Sequence, residues 1–541
     1  MARGAALAAA VAVSLLAVAG AGGAGAQTPK RGGTVVIAAP AHFEPACLNP
    51  LVDSCSPRFL DGVLAGAYEV MPAATYRPDL ASGKVAARQP FTLLYRIRPE
   101  ARWSDGARVT AGDFEFTHQA ILRLRPELQD VHLDMVRSVR ALGAKTVRVV
   151  LRAPFADWRE LFPWVLPRHA LAGQDLRSLW QNAIDNPKTG APIGSGPFLV
   201  DRLDRGGRQF VLRRNPRYWG PHLAYLDRIA HHFIRPEDVA DALRQGEVDM
   251  IDPGPRLLQA VALELHQERA PGIRVLPVLD SSWEHFDIRM GSGGHPALRI
   301  RLVRQALAYG IDREEIARVI GELTGGRDAR PEPLDSVVFL ANSRYYQSNW
   351  RGYRYRPEQA RRLLERGGCR RGADSIYICA GERLSLHLVT SAGAEHRRRS
   401  AELAKAQLRR VGVEVILGFV PPTLLGTALS GGDFDLFQFG WIGGASTSGP
   451  ADVFGCQQPS NFTGYCDRLV TRDLDQATRI LDDQRRVRLL NKVDARLATA
   501  VPAIPLYQTT SLFAFNATVR GVVRNGVGRF TWNAEDWWLE R

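Results

Sequence analysis

Apolar residues in this chain follow two periods, and the stretches that obey each period predict the elements. Gly33 to Ala39 (GTVVIAA) is a β-branched run that reads as a buried strand. Pro57 to Val70 places Phe59, Leu60, Val63, Leu64 and Tyr68 at helical spacing. Phe91 to Ile97 (FTLLYRI) predicts a strand, Ser104-Asp105-Gly106 a tight turn, and Thr110 with Asp113 a capping-box variant opening a helix near Phe114. Asp105 is therefore expected to shape a turn rather than do chemistry. Val147 to Leu151 is a further strand, and Gln209 to Arg213 alternates until Asn215-Pro216 ends it. Leu302 to Tyr309 and Asp312 to Ile320 predict two helices, with Gly310 as the stop and Asp312 with Glu315 as the next start.

Between Leu384 and Trp441 the periods interleave as strand, helix, strand, helix, strand: Leu384 to Val389, Ala401 to Val411, Val413 to Leu417, Leu424 to Leu429 and Phe434 to Trp441. That order predicts an α/β fold with a largely parallel sheet, on which ligands sit beyond the carboxyl ends of the strands. Trp441 ends the last of these strands before a Gly/Ser-rich turn, Gly443 to Gly449. It lines a cleft or caps the core.

Composition narrows the class. A chain of 541 residues with 45% apolar content exceeds a single core, so two or three lobes are expected. The formal charge is +14, yet all but six of the 70 basic residues are arginine and they are scattered. No nucleic-acid motif accompanies them, and no nucleic-acid partner is expected. Arg3, the apolar run Ala5 to Val18 and the small residues Ala24-Gly25-Ala26 have the build of a cleavable export signal covering residues 1–26, too short in its apolar part for a spanning helix. No cysteine stands at the cleavage point for a lipid anchor, and the mature chain is expected to be soluble and extracytoplasmic. Six cysteines fall into local pairs, Cys47 with Cys55, Cys369 with Cys379 and Cys456 with Cys466. Three short disulfide loops are the expectation in an oxidising compartment, with free buried thiols as the alternative.

Catalytic signatures are missing. There is no G-x-S-x-G, no H-E-x-x-H and no Ser-x-x-Lys, and no histidine or cysteine has metal-ligand spacing. The glycines of Ala191 to Phe198 (APIGSGPF) lead into a strand, not into the Gly-Lys-Ser/Thr of a phosphate loop. No catalytic residue, metal or cofactor is expected. Paired carboxylates of the glycosidase kind have no sequence signature and stay open.

Seven phrases in order, WSDGARVTAGDF, APIGSGPF, LRRNPRYWG, VRQALAYGIDREEI, PEQARRLLERGG, GDFDLFQFGW and VPAIPLY, resemble the peptide- and nickel-binding family (family 5) of solute-binding proteins that serve ABC importers. The resemblance runs over about residues 30 to 525. It implies a bilobal periplasmic-binding-protein fold, class II or cluster C-like, with an extra domain and a central ligand cleft. Carried onto this chain, the first lobe uses residues 27–66, 195–285 and 511–541, the extra domain 67–194, and the second lobe 286–510. The implied role is that of a monomeric, non-enzymatic receptor that closes on a small solute and delivers it to membrane permease subunits. Relatives that take peptides hold the ligand backbone on two segments, which align with Asp61-Gly62-Val63 and with Gly440-Trp441. Trp283 and Asn461 are counted with them as ligand-binding residues. At Gly444 this sequence departs from those relatives, which carry there an aspartate that pairs with the ligand amine. Either another acid such as Asp61 or Asp452 takes that role, or the cargo has no free amine. A peptide-like cargo is the main expectation. Sugars, opines and metal chelates remain alternatives, as does, in a different class, a secreted enzyme or sensor on the same frame.

Overall fold

The computed structural model describes residues 28–52, 55, 57–60, 62–72, 74–124, 135–254, 256–324, 331–443 and 446–540. The expected export signal, Asp61 and Gly444 lie outside the described residues.

A ten-stranded mixed sheet runs through both lobes in the order Glu414–Val420, Ser385–Ser391, Leu436–Ile442, Ile273–Ile288, Ala503–Asn516, Met250–Ile251, Thr34–Pro40, Arg228–Ile234, Gln209–Arg214, Phe198–Asp204. The two central strands are long because each serves two cores. In Ala503–Asn516, residues Ala503, Ile504, Leu506 and Tyr507 belong to the core of one lobe. Beyond them Phe513 and Phe515 face one core of the other lobe, and Leu512 and Ala514 face a second. Strand periodicity explains the latter split, since successive side chains point to opposite faces. Thr34–Pro40 does the same, with Val35, Ile37 and Ala39 on one face and Ala38 on the other.

The first lobe continues into a four-stranded antiparallel sheet, in the order Ala81–Arg88, Phe91–Ile97, Thr146–Leu151, Val136–Ala141, covered by the helix Ala111–Arg123. Its core is continuous with that of the large sheet. The helix starts as its sequence predicts, Thr110 N donating to Asp113 Oδ2 at 2.7 Å. Asp105 shapes its turn by accepting from Ala107 N at 3.0 Å.

In the second lobe, Ser385–Ser391 pairs in parallel with both Glu414–Val420 and Leu436–Ile442, with Glu395–Arg410 and Leu425–Gly431 as the intervening helices. The parallel reading of this region therefore holds. One local expectation fails. Pro57 to Val70 is not a helix: a 3-10 turn, Pro57–Leu60, precedes a strand, Tyr68–Met71. Gly62 takes φ +74°, and a Cβ at Gly66 would meet Pro163 O at 2.5 Å, so tertiary packing overrides the helical spacing. Gly310 closes the helix Arg301–Gly310 from inside, where a Cβ would meet Val411 Cγ2 at 3.1 Å and Leu408 Cδ2 at 3.2 Å.

All three local cysteine pairs are joined, with Cα–Cα distances of 4.7, 4.3 and 4.6 Å for Cys47–Cys55, Cys369–Cys379 and Cys456–Cys466. Among the described residues no helix is long and apolar enough to cross a membrane.

Candidate functional site

The lobes are joined where the two long strands cross. Leu279 pairs with Thr510 and Trp283 with Gln508, so Asp280, Ser281 and Ser282 stand opposite Thr509 alone. Such an irregularity breaks the ladder and lets the strand bend. Side chains tie it down: Thr509 Oγ1 donates to Ser282 O at 2.9 Å and Ser511 Oγ to Asp280 Oδ2 at 3.0 Å. Gln508 donates to Asp280 O and to Asn342 Oδ1, and accepts from Ala341 N at 2.8 Å.

Just past this crossing, Ser282 to Ile288 pairs antiparallel with Leu436–Ile442, placing Trp283 opposite Trp441 and Glu284 opposite Gly440. On the other side of Leu436–Ile442, the ladder to Ser385–Ser391 covers only Leu436, Phe437 and Gln438. Among the described residues, Phe439 to Ile442 therefore have a strand partner on one side only. Along the other edge no strand of the described residues pairs.

That edge borders a cavity of about 590 Å³ lined by Trp283, Leu340, Gly440, Trp441, Thr447 and Asp452, with Ala74 and Val527 closing it from the first-lobe side. Trp441 is half-buried, its ring parallel to Phe462 at 6.1 Å and edge-on to Phe439 at 5.0 Å. Its indole Nε1 is buried with no hydrogen-bond partner among the described residues. The tryptophan thus lines the cavity while packing on the small cluster of Phe434, Phe437 and Phe439.

Gly440 leaves room for what lies beneath it. A Cβ there would meet Glu284 Oε1 at 2.9 Å and Arg397 Nη2 at 3.3 Å. Glu284 is fully buried and accepts from Arg397 Nε at 3.0 Å and Nη2 at 3.0 Å. Burial works against its charge, but the His396 contact and Arg397 outweigh it and hold the carboxyl well below the usual range. The ion pair fixes the helix Glu395–Arg410 on the back of the strand whose front faces the cavity.

The first-lobe segment sits differently. Val63 is buried, and its carbonyl accepts from Ser195 N at 2.9 Å and Gly196 N at 3.0 Å. Gly62 O accepts from Phe198 N at 2.9 Å. A Cβ at Gly196 would stand 2.1 Å from Gly62 O, which explains the glycines of APIGSGPF: two backbones touch. Gly62 lines a second cavity of about 330 Å³ together with Tyr68, Glu69, Arg77, Asp79, Tyr218 and Glu535. The two cavities share Val527. Burial pushes the Asp79 carboxyl up to about 7, helped by the charges of Glu69 and Glu535 and opposed by Arg77. Burial likewise pushes Glu535 up to about 7.

Asn461 donates to Gly455 O and Tyr465 O, both at 2.7 Å, and accepts from Thr463 Oγ1, so it shapes the loop closed by Cys456–Cys466. Asp452 lines the main cavity, exposed, with Ser460 Oγ donating to it. The acidic second cavity was not legible in the sequence, since Asp79 and Glu535 come from opposite ends of the chain and neither belongs to a motif. Among the described residues no group of three or more His, Cys, Asp or Glu could hold a metal ion.

Two α/β lobes joined by crossing strands, with an open strand edge beside a cavity between them, define a bilobal binding protein. The chain belongs to the bacterial extracellular solute-binding proteins, family 5, whose middle-region model matches residues 75–461. Among its relatives is the oligopeptide-binding protein OppA of Mycobacterium tuberculosis, 29% identical over 82% of this chain and 74% of the relative. Solved structures of similar fold include NikA from Brucella suis in complex with Fe(III)-EDTA, with TM-score 0.79 at 19% identity, covering 94% of this chain and 100% of that one. Another is AppA from Bacillus subtilis in complex with a nonapeptide, with TM-score 0.70 at 21% identity, covering 95% and 100%.

Proposed function

We propose that this chain is the solute-capturing component of an ABC importer, exported by its N-terminal signal and working outside the cytoplasm as a monomer with no enzymatic step and no nucleic-acid partner. It takes a peptide-like solute between its lobes and hands it to membrane permease subunits. The observation that carries the peptide reading is the unpaired edge of Phe439 to Ile442 beside the main cavity. A peptide laid along that edge gains main-chain hydrogen bonds whatever its side chains are, while an apolar cavity tolerates their variety. Trp441 and Trp283 supply aromatic surface for those side chains.

Asp452 is the acid we assign to the ligand amine, since it lines the same cavity and is exposed there. Gly62 and Val63 act through the second cavity and the scaffold, and Asn461 through its loop. The lobe division follows the core clusters: Trp283 and Phe286 pack in the second lobe, so the crossing at residues 280–282 is the proposed boundary and hinge, a few residues before the expected division at 285 and 286. Residues 67–194 form the extra domain on a core shared with the first lobe.

The names of the relatives include binders of oligopeptides, of metal chelates and of a monoacyl phosphatidylinositol tetramannoside, and the overall shape does not choose between the first two. Thermal-shift titration with a random tetrapeptide pool, the same pool N-acetylated, and Fe(III)-EDTA does. A ligand at one hundred times its Kd stabilises by about 2.7 kcal/mol, well within detection. The free peptide pool is expected to raise Tm, the acetylated pool to do so less, and Asp452→Asn to erase the difference. A shift with Fe(III)-EDTA and none with either peptide pool refutes the peptide reading.

A further inference from the structure

The turn beyond the binding strand is held from the opposite lobe. Asp157, 3% exposed, precedes the 3-10 turn Trp158–Glu160, and its neighbours Phe155 and Trp158 belong to the first-lobe core. Its Oδ2 accepts from Ser446 Oγ at 2.9 Å, Thr447 N at 3.0 Å and Ser448 N at 2.9 Å, and its Oδ1 from Thr447 Oγ1 at 3.1 Å. Those donors lead into the helix Gly449–Phe454, whose Phe454 lies in the second-lobe core. All four bonds therefore cross from one lobe to the other. Nearby, Ala156 N donates to Thr478 O at 2.7 Å, and Leu481 of the second lobe packs on the first-lobe core.

We infer that Asp157 is a closing latch: its carboxylate engages the Ser446–Ser448 turn in the shut protein, and this contact sets the balance between shut and open lobes before any solute arrives. A carboxylate is costly to bury unless donors meet it, and here two backbone N–H groups and two hydroxyls do so together. Opening at residues 280–282 carries the turn away and water takes over as donor. The irregular ladder there supplies a place for the motion. Ser446 and Thr447 also line the main cavity, so the latch holds part of the wall that a solute would touch. Solute and latch favour the same form, and a solute that needs the shut form binds more weakly in proportion as that form is depopulated.

The test uses the full mature chain without ligand. Small-angle X-ray scattering and an interlobe fluorescence pair report the shut fraction for wild type, Asp157→Ala and the double variant Ser446→Ala/Thr447→Val. Loss of these charge-assisted bonds is expected to shift the open-to-shut ratio toward open by on the order of ten-fold. The radius of gyration rises for both variants, more for Asp157→Ala, which removes all four bonds, than for the double variant, which leaves the two backbone donors, and combining them adds nothing to the effect of Asp157→Ala. The inference is overturned if either variant, folded by circular dichroism, keeps the wild-type radius, if the effects add, or if wild type is already as open as the variants. Should Asp157→Ala fail to fold, the Ser446→Ala/Thr447→Val variant decides alone. No cargo enters the measurement, so the outcome is independent of the peptide reading.

Discussion

Neutralising Asp79 tests the electrostatics of the second cavity directly. In the folded protein its carboxyl is raised from 3.8 to about 7, first by burial and then by Glu69 and Glu535. A carboxyl whose folded value lies above its unfolded one binds more protons in the folded state between those two values. Its contribution to stability is therefore fully present below about pH 4 and is lost as pH climbs to about 7, with little further change above. Three units at 1.36 kcal/mol each set a ceiling of about 4 kcal/mol for the whole loss. Asp79→Asn removes the titration but keeps the shape. The variant's stability relative to wild type is expected to grow between pH 4.5 and 8 by up to about 3 kcal/mol, the part of the titration inside that window. Any pH-independent cost of the amide cancels from that growth. So do the histidines, which titrate in both proteins. Urea unfolding at four pH values, followed by tryptophan fluorescence, measures it. A difference that stays constant or shrinks as pH rises refutes the reasoning, because the folded carboxyl would then not be raised.

Two further substitutions probe the frame that positions the site. Gly196→Ala puts a Cβ 2.1 Å from Gly62 O and 2.5 Å from its carbonyl carbon, both backbone atoms that cannot rotate away. A loss of at least about 3 kcal/mol is expected in urea unfolding; a change under about 1 kcal/mol would mean that the contact yields easily. Arg313, buried on the second-lobe helix Arg313–Thr324, donates to Leu334 O, Pro505 O, Trp350 O, Tyr353 O and Asp335 Oδ1, tying the chain around the main cavity to a long strand. Arg313→Met should cost about 3–5 kcal/mol, and adding Asp335→Asn should recover part of it, since an unpaired buried carboxylate is the larger part of the penalty.

Where short-range physics decides, the sequence was readable. The strand-helix alternation from Leu384 to Trp441 appears in the expected order as Ser385–Ser391, Glu395–Arg410, Glu414–Val420, Leu425–Gly431 and Leu436–Ile442, though the first helix begins well before Ala401. The start at Thr110 and the turn at Asp105 are likewise built from bonds between chain neighbours, to which Arg168 N and His169 add bonds from farther along the chain. Pro57 to Val70 failed for the opposite reason. Its apolar spacing is helical, but Gly66 is pressed against Pro163 O and Gly62 against Phe198, contacts with residues about a hundred or more positions away. Gly310 ends its helix as the spacing predicts, and its smallness also answers the close approach of Leu408 in the helix Glu395–Arg410.

The site divides along the same line. Trp441 was visible because a strand that ends in tryptophan and runs into glycines is a local pattern, and the structure sets it half-buried on the cavity wall. The proposed seat for a solute rests on that strand's missing neighbour, and a missing neighbour is a property of register: Ser385–Ser391 stops pairing at Gln438 while Trp283 pairs on across from Trp441. Register between strands so far apart in sequence is set by the cores they jointly bury, which no window along the chain contains. The same holds for Asp157. Beside Trp158 it reads as one more loop acid, and only the approach of the Ser446–Ser448 turn from the other lobe gives its carboxylate four donors. A sequence of this kind therefore reveals the wall of a cleft more readily than the contacts that open and shut it, because the wall is built within one lobe and the contacts exist only between two.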